Sequence, residues 1–312
     1  MKRIVVFCGT AHPQLATSIC RSLRTHLSAS ETTRFSNDCL GVQLQANCRD
    51  ADVFIIQPIS PPVQEHLVEL LLMMDAARGA SAARVTAVIP HYAYARSDKK
   101  DAPRISIAAR LVADLFLTAG ASRVLTMTLH SPQVHGFFSV PVDHLHALRE
   151  LAHHFRGYDL SNTVVVSPDL GNAKDAAAFA RMLGIEVAVG AKQRYAHDKV
   201  VISSVIGEVT DRDVIVLDDE IAKGSTVFEL LDRLRERHVN SVRVACTHGL
   251  FTGDSIARLS AEKDVEGIVC TNTVPIEPAK RTDKLTVLSV AAPLAEAMRR
   301  IHNGESVSAL FA

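Results

Sequence analysis

The chain has 312 residues, 47% of them hydrophobic and 22% charged, an ordinary globular composition long enough for two domains of roughly 150 residues. Lysine plus arginine equals aspartate plus glutamate, 34 each, so no bulk field favours nucleic acid or an anionic membrane as partner. No apolar run reaches the ~18 residues of a membrane helix, the N-terminus lacks a basic segment with a cleavage site, and the six cysteines show no C-x-x-C or zinc spacing, so a reduced, cytoplasmic protein is expected.

Short β-branched runs then alternate with helical periodicity. Ile4–Phe7 and Val53–Ile56 read as strands. Val63–Arg78 follows as a helix, with Leu67, Leu70, Leu71 and Met74 on one face. After a strand at Val85–Ile89, the stretch Ser106–Thr118 repeats Ile107, Leu111 and Leu115, and Gly120 stands where a helix C-cap would. A strand at Arg123–Met127 precedes a polar, histidine-rich helix, His144 to His154, expected to act as a hinge. Further strands are expected at Val164–Val166, Val214–Leu217, Val242–Cys246, Gly267–Cys270 and Leu285–Leu288. Between them Thr226–Arg237 opens on Thr226-x-x-Glu229, the spacing of a capping box. The strands are continuous apolar runs, as parallel strands covered on both faces require. Such alternation implies an α/β fold with right-handed crossovers. The pattern runs twice, ending near residue 145 and restarting near 162.

One stretch carries more chemistry than the rest. Val214 to Leu217 is an apolar strand; Asp218 and Asp219 follow at its carboxyl end, then a turn with Lys223, Gly224, Ser225 and Thr226 that opens a helix. Unpaired N–H groups and the helix dipole at such a start attract phosphate. Glycine lets the backbone approach an anion, the two hydroxyls add donors, and the aspartates can accept from sugar hydroxyls. Ligands of open α/β sheets bind at this end. The alternative is a capped βα turn with a surface acidic pair.

This stretch resembles the phosphoribosyl-diphosphate loop of type I phosphoribosyltransferases. Along nearly its whole length the chain is similar to the ribose-phosphate diphosphokinase family. The resemblance is carried by Arg34-Phe-Ser, Asp52-Val-Phe-Ile-Ile-Gln-Pro, Tyr94-Ala-Arg-Ser-Asp-Lys-Lys-Asp, Leu129-His130, Ser167-Pro-Asp169, Thr247-His-Gly-Leu-Phe-Thr-Gly and the tail from Arg300 to Ser308. It implies two tandem phosphoribosyltransferase-like domains, 1–146 on the ATP side and 147–312 on the ribose 5-phosphate side, with the site between them. It implies transfer of the diphosphoryl group of ATP to C1 of ribose 5-phosphate with Mg²⁺, in a homo-oligomer, dimer or hexamer. The apolar Gly136-Phe137-Phe138 suits an interface. By position, Phe35, Asn37, Arg96, Ser97 and His130 would bind ATP. His130 and Asp169 would hold the metal. Lys192 and Arg194 would be catalytic, and Asp218, Asp219, Lys223, Gly224, Ser225 and Thr226 would bind ribose 5-phosphate.

The departures from the family pattern cluster at these positions. Ala222 and Lys223 stand for an aspartate and a threonine of the phosphate loop. Asn37, Asp38 and Cys39 stand for Asp-Gly-Glu of the adenine loop, and Ser97 for a glutamine. Thr128 replaces an aspartate before His130, and Asn172 and Asp175 replace a glycine and an arginine after Asp169. Besides a divergent diphosphokinase, a catalytically weak regulatory paralogue that binds synthetase subunits, or a phosphoribosyltransferase on the same fold, fits this pattern.

Overall fold

The computed structural model describes residues 2–196 and 199–310, with backbone alone at 192–196, 199–201 and 203. Two units emerge from the packing: Met1–His146 with Thr273–Pro275 and Ser289–Ala312, and Ala147–Asn272 with Ile276–Leu288.

In the first unit β1 (Ile4–Cys8) is followed by α1 (Pro13–Leu23) and a hairpin of β2 (Ser30–Arg34) and β3 (Leu40–Leu44). Then come β4 (Asp52–Ile56), α2 (Val63–Gly79), β5 (Arg84–Ile89), α3 (Ala108–Ala119), β6 (Arg123–Met127) and β7 (Val142–Leu145). Strands β1, β4, β5, β6 and β7 form one parallel sheet in that order; β2 and β3 pair antiparallel apart from it. Every residue of β4 is buried, which accounts for the apolar run Val53–Ile56 after Asp52. From α2, Leu70, Met73, Met74 and Ala77 are fully buried against the sheet. Each large side chain of this kind contributes about 1.5–3 kcal/mol.

The apolar repeat expected to bury α3 does the opposite. Leu111 is 55% exposed and Leu115 37% exposed, while Ala109, Val112, Ala113 and Phe116 face the core. The core face is set by Ala109, Val112, Ala113 and Phe116, and the leucines are left as an outward stripe. Gly120 does end α3, at φ 107. The expected polar helix from His144 is also displaced. His144 and Leu145 end β7 by pairing with Thr126 and Met127.

The second unit starts with α4 (Leu148–Phe155), which buries Leu148, Leu151, Ala152 and Phe155 and so is an ordinary amphipathic helix of this unit. There follow β8 (Thr163–Ser167), α5 (Ala173–Leu183), β9 (Glu186–Ala196), β10 (Lys199–Ile206), β11 (Asp213–Ile221), α6 (Ser225–Glu236), β12 (Ser241–Gly249), α7 (Ser255–Ala261), β13 (Val265–Thr271) and β14 (Leu285–Leu288). They form a seven-stranded sheet in the order β10-β9-β8-β11-β12-β13-β14, in which only β10 runs antiparallel.

The last helix, α8 (Ala291–Asn303), lies against α1 and belongs to the first unit, unlike the expected second domain that ran to 312. Buried Asp52 explains the attachment. Its carboxylate accepts from Arg84 and, at 2.8 Å, from His302 Nδ1, and Arg84 also donates to the carbonyl of Ile301 at 3.3 Å.

Candidate functional site

In the second unit the chain leaves β8 toward β9 on one side and returns as β11 on the other, so the strand order reverses between β8 and β11. At such a reversal the two following loops part and leave a crevice at the carboxyl ends of the strands. The Asp169 loop follows β8, and the Asp218–Thr226 turn ends β11. The topology therefore brings together the two acidic segments singled out in the sequence.

Asp169 shapes its own loop: Gly171 N–H donates to Oδ1 at 2.9 Å and Asn172 N–H at 3.3 Å, while Ser167 Oγ donates to the Asp169 carbonyl at 2.7 Å. Across the crevice Asp219 N–H donates to Asp218 Oδ1 at 2.9 Å. Burial holds the Asp218 carboxyl well above the usual carboxylate range; the Asp219 charge and a side-chain hydrogen bond to Asp219 raise it further, and Asp169 adds to the effect. Behind Asp218 in the sheet stands Cys246, whose thiol burial keeps protonated. The site thus concentrates carboxylates on an apolar floor, a poor place for negative charge and a good one for a polyhydroxyl or a cation.

The turn is shaped by backbone. Gly224 adopts φ 74, a left-handed conformation that side chains disfavour, and an added Cβ would lie 3.2 Å from the Phe228 ring. Phe251 N–H donates to Ile221 O at 2.9 Å, and Ala222 O accepts from Thr252 N–H at 3.0 Å and Ser255 Oγ at 2.9 Å. Helix α6 starts at Ser225 with Gly224 as N-cap and no side-chain cap. The capping box expected at Thr226 is therefore not formed, and its hydroxyl stays at the helix mouth. Lys223 and Ser225 are exposed and Thr226 is half-buried. An uncapped helix start ringed by hydroxyls and a lysine is suited to phosphate.

Lys192 and Arg194 lie in β9, paired with Ile202 and Val200 of β10; their side chains are outside the described residues. Gly190, two positions earlier, passes Pro168 so closely that a Cβ would meet its carbonyl at 2.6 Å.

In the first unit the hairpin tip carries Phe35 and Asn37. Phe35 is 57% exposed and lies over Gly41, where a Cβ would meet the ring at 2.7 Å. Asn37 Oδ1 accepts from Cys39 N–H at 3.2 Å, which fixes the tip and spends the amide oxygen. Arg96 is exposed at the end of a short 3₁₀ turn, Ala93–Arg96, and His130 is exposed after β6. Ser97 is otherwise engaged: its hydroxyl donates to Ser106 O and accepts from Ala108 N–H, each at 3.3 Å, and so closes the start of α3. Just before His130, Thr128 holds φ 43, a strained value for a β-branched residue.

Sequence reasoning missed Glu69. Buried on α2, its carboxylate accepts from Thr10 N–H at 3.1 Å, Thr10 Oγ1 at 2.8 Å, Thr32 Oγ1 at 2.6 Å and Gln57 Nε2 at 2.5 Å. Thr32 lies in β2, so this group ties the hairpin to the carboxyl ends of β1 and β4; an Arg34–Glu65 ion pair adds a second tie. The partners lie 12 to 59 positions from Glu69, and no local pattern reveals them.

Comparison with known proteins gives concordant results. The sequence model for the N-terminal domain of ribose phosphate pyrophosphokinase matches residues 4–120, and that for the phosphoribosyl synthetase-associated domain matches 193–312. A Streptomyces coelicolor relative is 71% identical over 311 residues, 100% of this chain and 98% of its own. The ribose-phosphate pyrophosphokinase of Deinococcus radiodurans is 48% identical over 99% of this chain and 98% of its own. The crystal structure of phosphoribosylpyrophosphate synthetase from Mycobacterium smegmatis superposes with a TM-score of 0.90 at 37% identity, covering 97% of this chain and 100% of that one.

Proposed function

The chain belongs to the ribose-phosphate pyrophosphokinase family, and from that premise we propose how its own residues carry diphosphoryl transfer from ATP to C1 of ribose 5-phosphate. The observation that carries the assignment of residues is the backbone-built turn after β11, set at the strand-order reversal opposite Asp169. Its N–H groups, with Ser225, Thr226 and Lys223, hold the 5-phosphate. Asp218 and Asp219 accept from the ribose hydroxyls. Phe35 offers its exposed ring to the adenine, Asn37 its remaining amide donors, and Arg96 its guanidinium to the triphosphate. Ser97 contributes by fixing the Arg96 turn onto α3 rather than by touching the base.

The C1 hydroxyl oxygen bonds to the β-phosphorus as the bond from that phosphorus to the α-phosphate oxygen breaks; AMP leaves with that oxygen, and the hydroxyl proton passes to solvent. Charge then builds on the transferred oxygens. Lys192 and Arg194 offset it, a role confined to the transition state.

No group of three or more His, Cys, Asp or Glu side chains suited to a metal occurs among the described residues. Mg²⁺ keeps several waters and binds through one or two protein donors plus phosphate oxygens. His130 and Asp169 each offer one such donor. When bound, Mg²⁺ neutralises triphosphate charge.

A homo-oligomer is also proposed, with a different basis from the expected one. Phe137 and Phe138 pack on their own core, Phe138 stacking 6.4 Å from Phe116, whereas Leu111 and Leu115, one turn apart on α3, are exposed. Light scattering should give a mass above 33.8 kDa at micromolar concentration. No described helix is long and apolar enough to cross a membrane, and all six cysteines are free thiols; the latter supports a reducing, cytoplasmic setting.

The test is AMP release from ATP, ribose 5-phosphate and Mg²⁺. Lys192→Ala and Arg194→Ala should each lower kcat about a hundred- to a thousand-fold with little change in KM. Absence of AMP release from the unaltered chain would favour the regulatory-paralogue reading.

A further inference from the structure

Asn172 does not behave as an ordinary helix cap. It occupies the N-cap position of α5, where an asparagine side chain would normally accept from the first helical N–H groups, yet it caps none. Its amide Nδ2 instead donates to the carbonyl of Leu217 at 2.8 Å, 45 positions away. Two features make that bond specific. The β8–β11 ladder runs from Asp213↔Thr163 to Val216↔Val166 and stops, so Leu217 is the first β11 residue past it on that side. Leu217 also immediately precedes Asp218, and its carbonyl belongs to the peptide unit that sets the direction of the Asp218 side chain. Meanwhile the Asn172 backbone N–H donates to Asp169 Oδ1. One residue therefore binds the Asp169 carboxylate with its backbone and the peptide before Asp218 with its side chain.

We propose that Asn172 is a positioning residue for ribose 5-phosphate: a strut that continues the sheet one step past its last β8–β11 pair and fixes Asp218 against Asp169. The inference rests on the reading of Asp218 as a ribose ligand. The two acidic groups repel each other, and a turn free to relax would let them separate. With the Leu217 carbonyl held, Asp218 keeps one direction and the sugar hydroxyls meet a preformed acceptor. An alanine removes the donor, and an aspartate of the same shape accepts but cannot donate.

The experiment is steady-state AMP release by the full chain, varying ribose 5-phosphate and ATP separately, for the unaltered protein and for Asn172→Ala, Asn172→Asp and Asp218→Asn. Loss of one neutral hydrogen bond of this kind is worth about a five- to tenfold change. Asn172→Ala is expected to raise KM for ribose 5-phosphate by that factor and to leave KM for ATP within twofold; Asn172→Asp should do at least as much. A lowered melting temperature with KM for ribose 5-phosphate unchanged in both Asn172 variants would overturn the proposal and leave a helix-stabilising residue. If Asn172→Ala fails to fold, the isosteric Asn172→Asp decides alone. Asp218→Asn separates the two levels. If it leaves KM for ribose 5-phosphate intact, the reading of Asp218 falls and the strut with it. If it raises that KM while the Asn172 variants do not, only the strut falls.

Discussion

The hairpin tip of the first unit and the turn after β11 in the second both carry departures from the family pattern, but the first is anchored through side chains and the second through its backbone. The tip, Phe35 to Cys39, is exposed and closes on itself, with Phe35 N–H donating to Cys39 O and Asp38 N–H to Phe35 O, each at 2.9 Å, while side chains tie its hairpin down, Glu69 to Thr32 and Glu65 to Arg34. The turn is held through its backbone, by bonds to the Ile221 and Ala222 carbonyls from Phe251, Thr252 and Ser255 after β12 and by the left-handed Gly224. Side chains at the turn can change while its backbone keeps its shape, because few of them hold it. At the hairpin, one distant carboxylate, Glu69, ties the segment to the sheet.

The largest expected effect follows from that dependence. Glu69→Ala would leave the Thr10 and Thr32 hydroxyls, the Thr10 N–H and the Gln57 amide without their acceptor in a buried place, at a cost of about 3 kcal/mol or more. Urea denaturation should show it, together with a raised KM for ATP and little change for ribose 5-phosphate. A loss under about 1 kcal/mol would mean that the hairpin is held by its apolar contacts instead.

A second test bears on the turn. Ala222 stands where the family has a carboxylate near the reacting end of the sugar, and positioned acid–base groups contribute about a hundred- to ten-thousand-fold. The backbone of Ala222 is anchored by Thr252 and Ser255, so a new side chain there should not move the turn. Ala222→Asp with Lys223→Thr is expected to raise AMP release about tenfold, the modest figure reflecting the negative charge already gathered around Asp218. A clear fall would show that Lys223 carries an essential phosphate contact and that the turn is adapted as it stands.

The tip supplies the third. With the Asn37 oxygen bonded to Cys39 N–H and Ser97 turned to α3, few polar groups remain to read the base. ATP, GTP and CTP should serve as donors within about tenfold of one another, a difference of about 1.4 kcal/mol. Strict ATP selectivity would require a base contact from outside this tip.

The smallest effect concerns stability and pH. The folded-state pKa of Asp218 is raised by burial and by Asp219, so its neutral form fits the fold better than its ionised form. The protein should lose stability as pH rises from the unfolded-state value of about 4 through the raised folded value. Asp218→Asn should therefore melt higher than the unaltered protein at pH 7 and match it below about pH 4. A lower melting temperature at pH 7 would show that the carboxylate is stabilised by its neighbours.

The same contrast explains what the sequence disclosed. The continuous apolar strands, the helix after Gly224 and the Asp218–Asp219 pair are local patterns, and each stands close to its expected place. The hairpin was missed because β2, Ser30–Arg34, is short and polar; the β9–β10 pair was missed as well, and the helix expected from His144 is displaced to Leu148 because His144 and Leu145 pair into β7. Leu111 and Leu115 misled because a helical stripe marks an apolar face without saying what covers it. Glu69, Asn172 and the attachment of α8 through Asp52 depend on partners 12 to 250 positions apart and become visible only in three dimensions.

The most direct test of the claim that the turn after β11 receives ribose 5-phosphate is titration calorimetry of that sugar phosphate, in the presence of Mg²⁺ and a non-hydrolysable ATP analogue, against the unaltered chain and Asp218→Asn. Saturable binding to the former, weakened at least about tenfold in the latter while the analogue still binds both, is the predicted result, the loss of one or more hydrogen bonds to a charged acceptor. Equal ribose 5-phosphate affinity for the two proteins would contradict it.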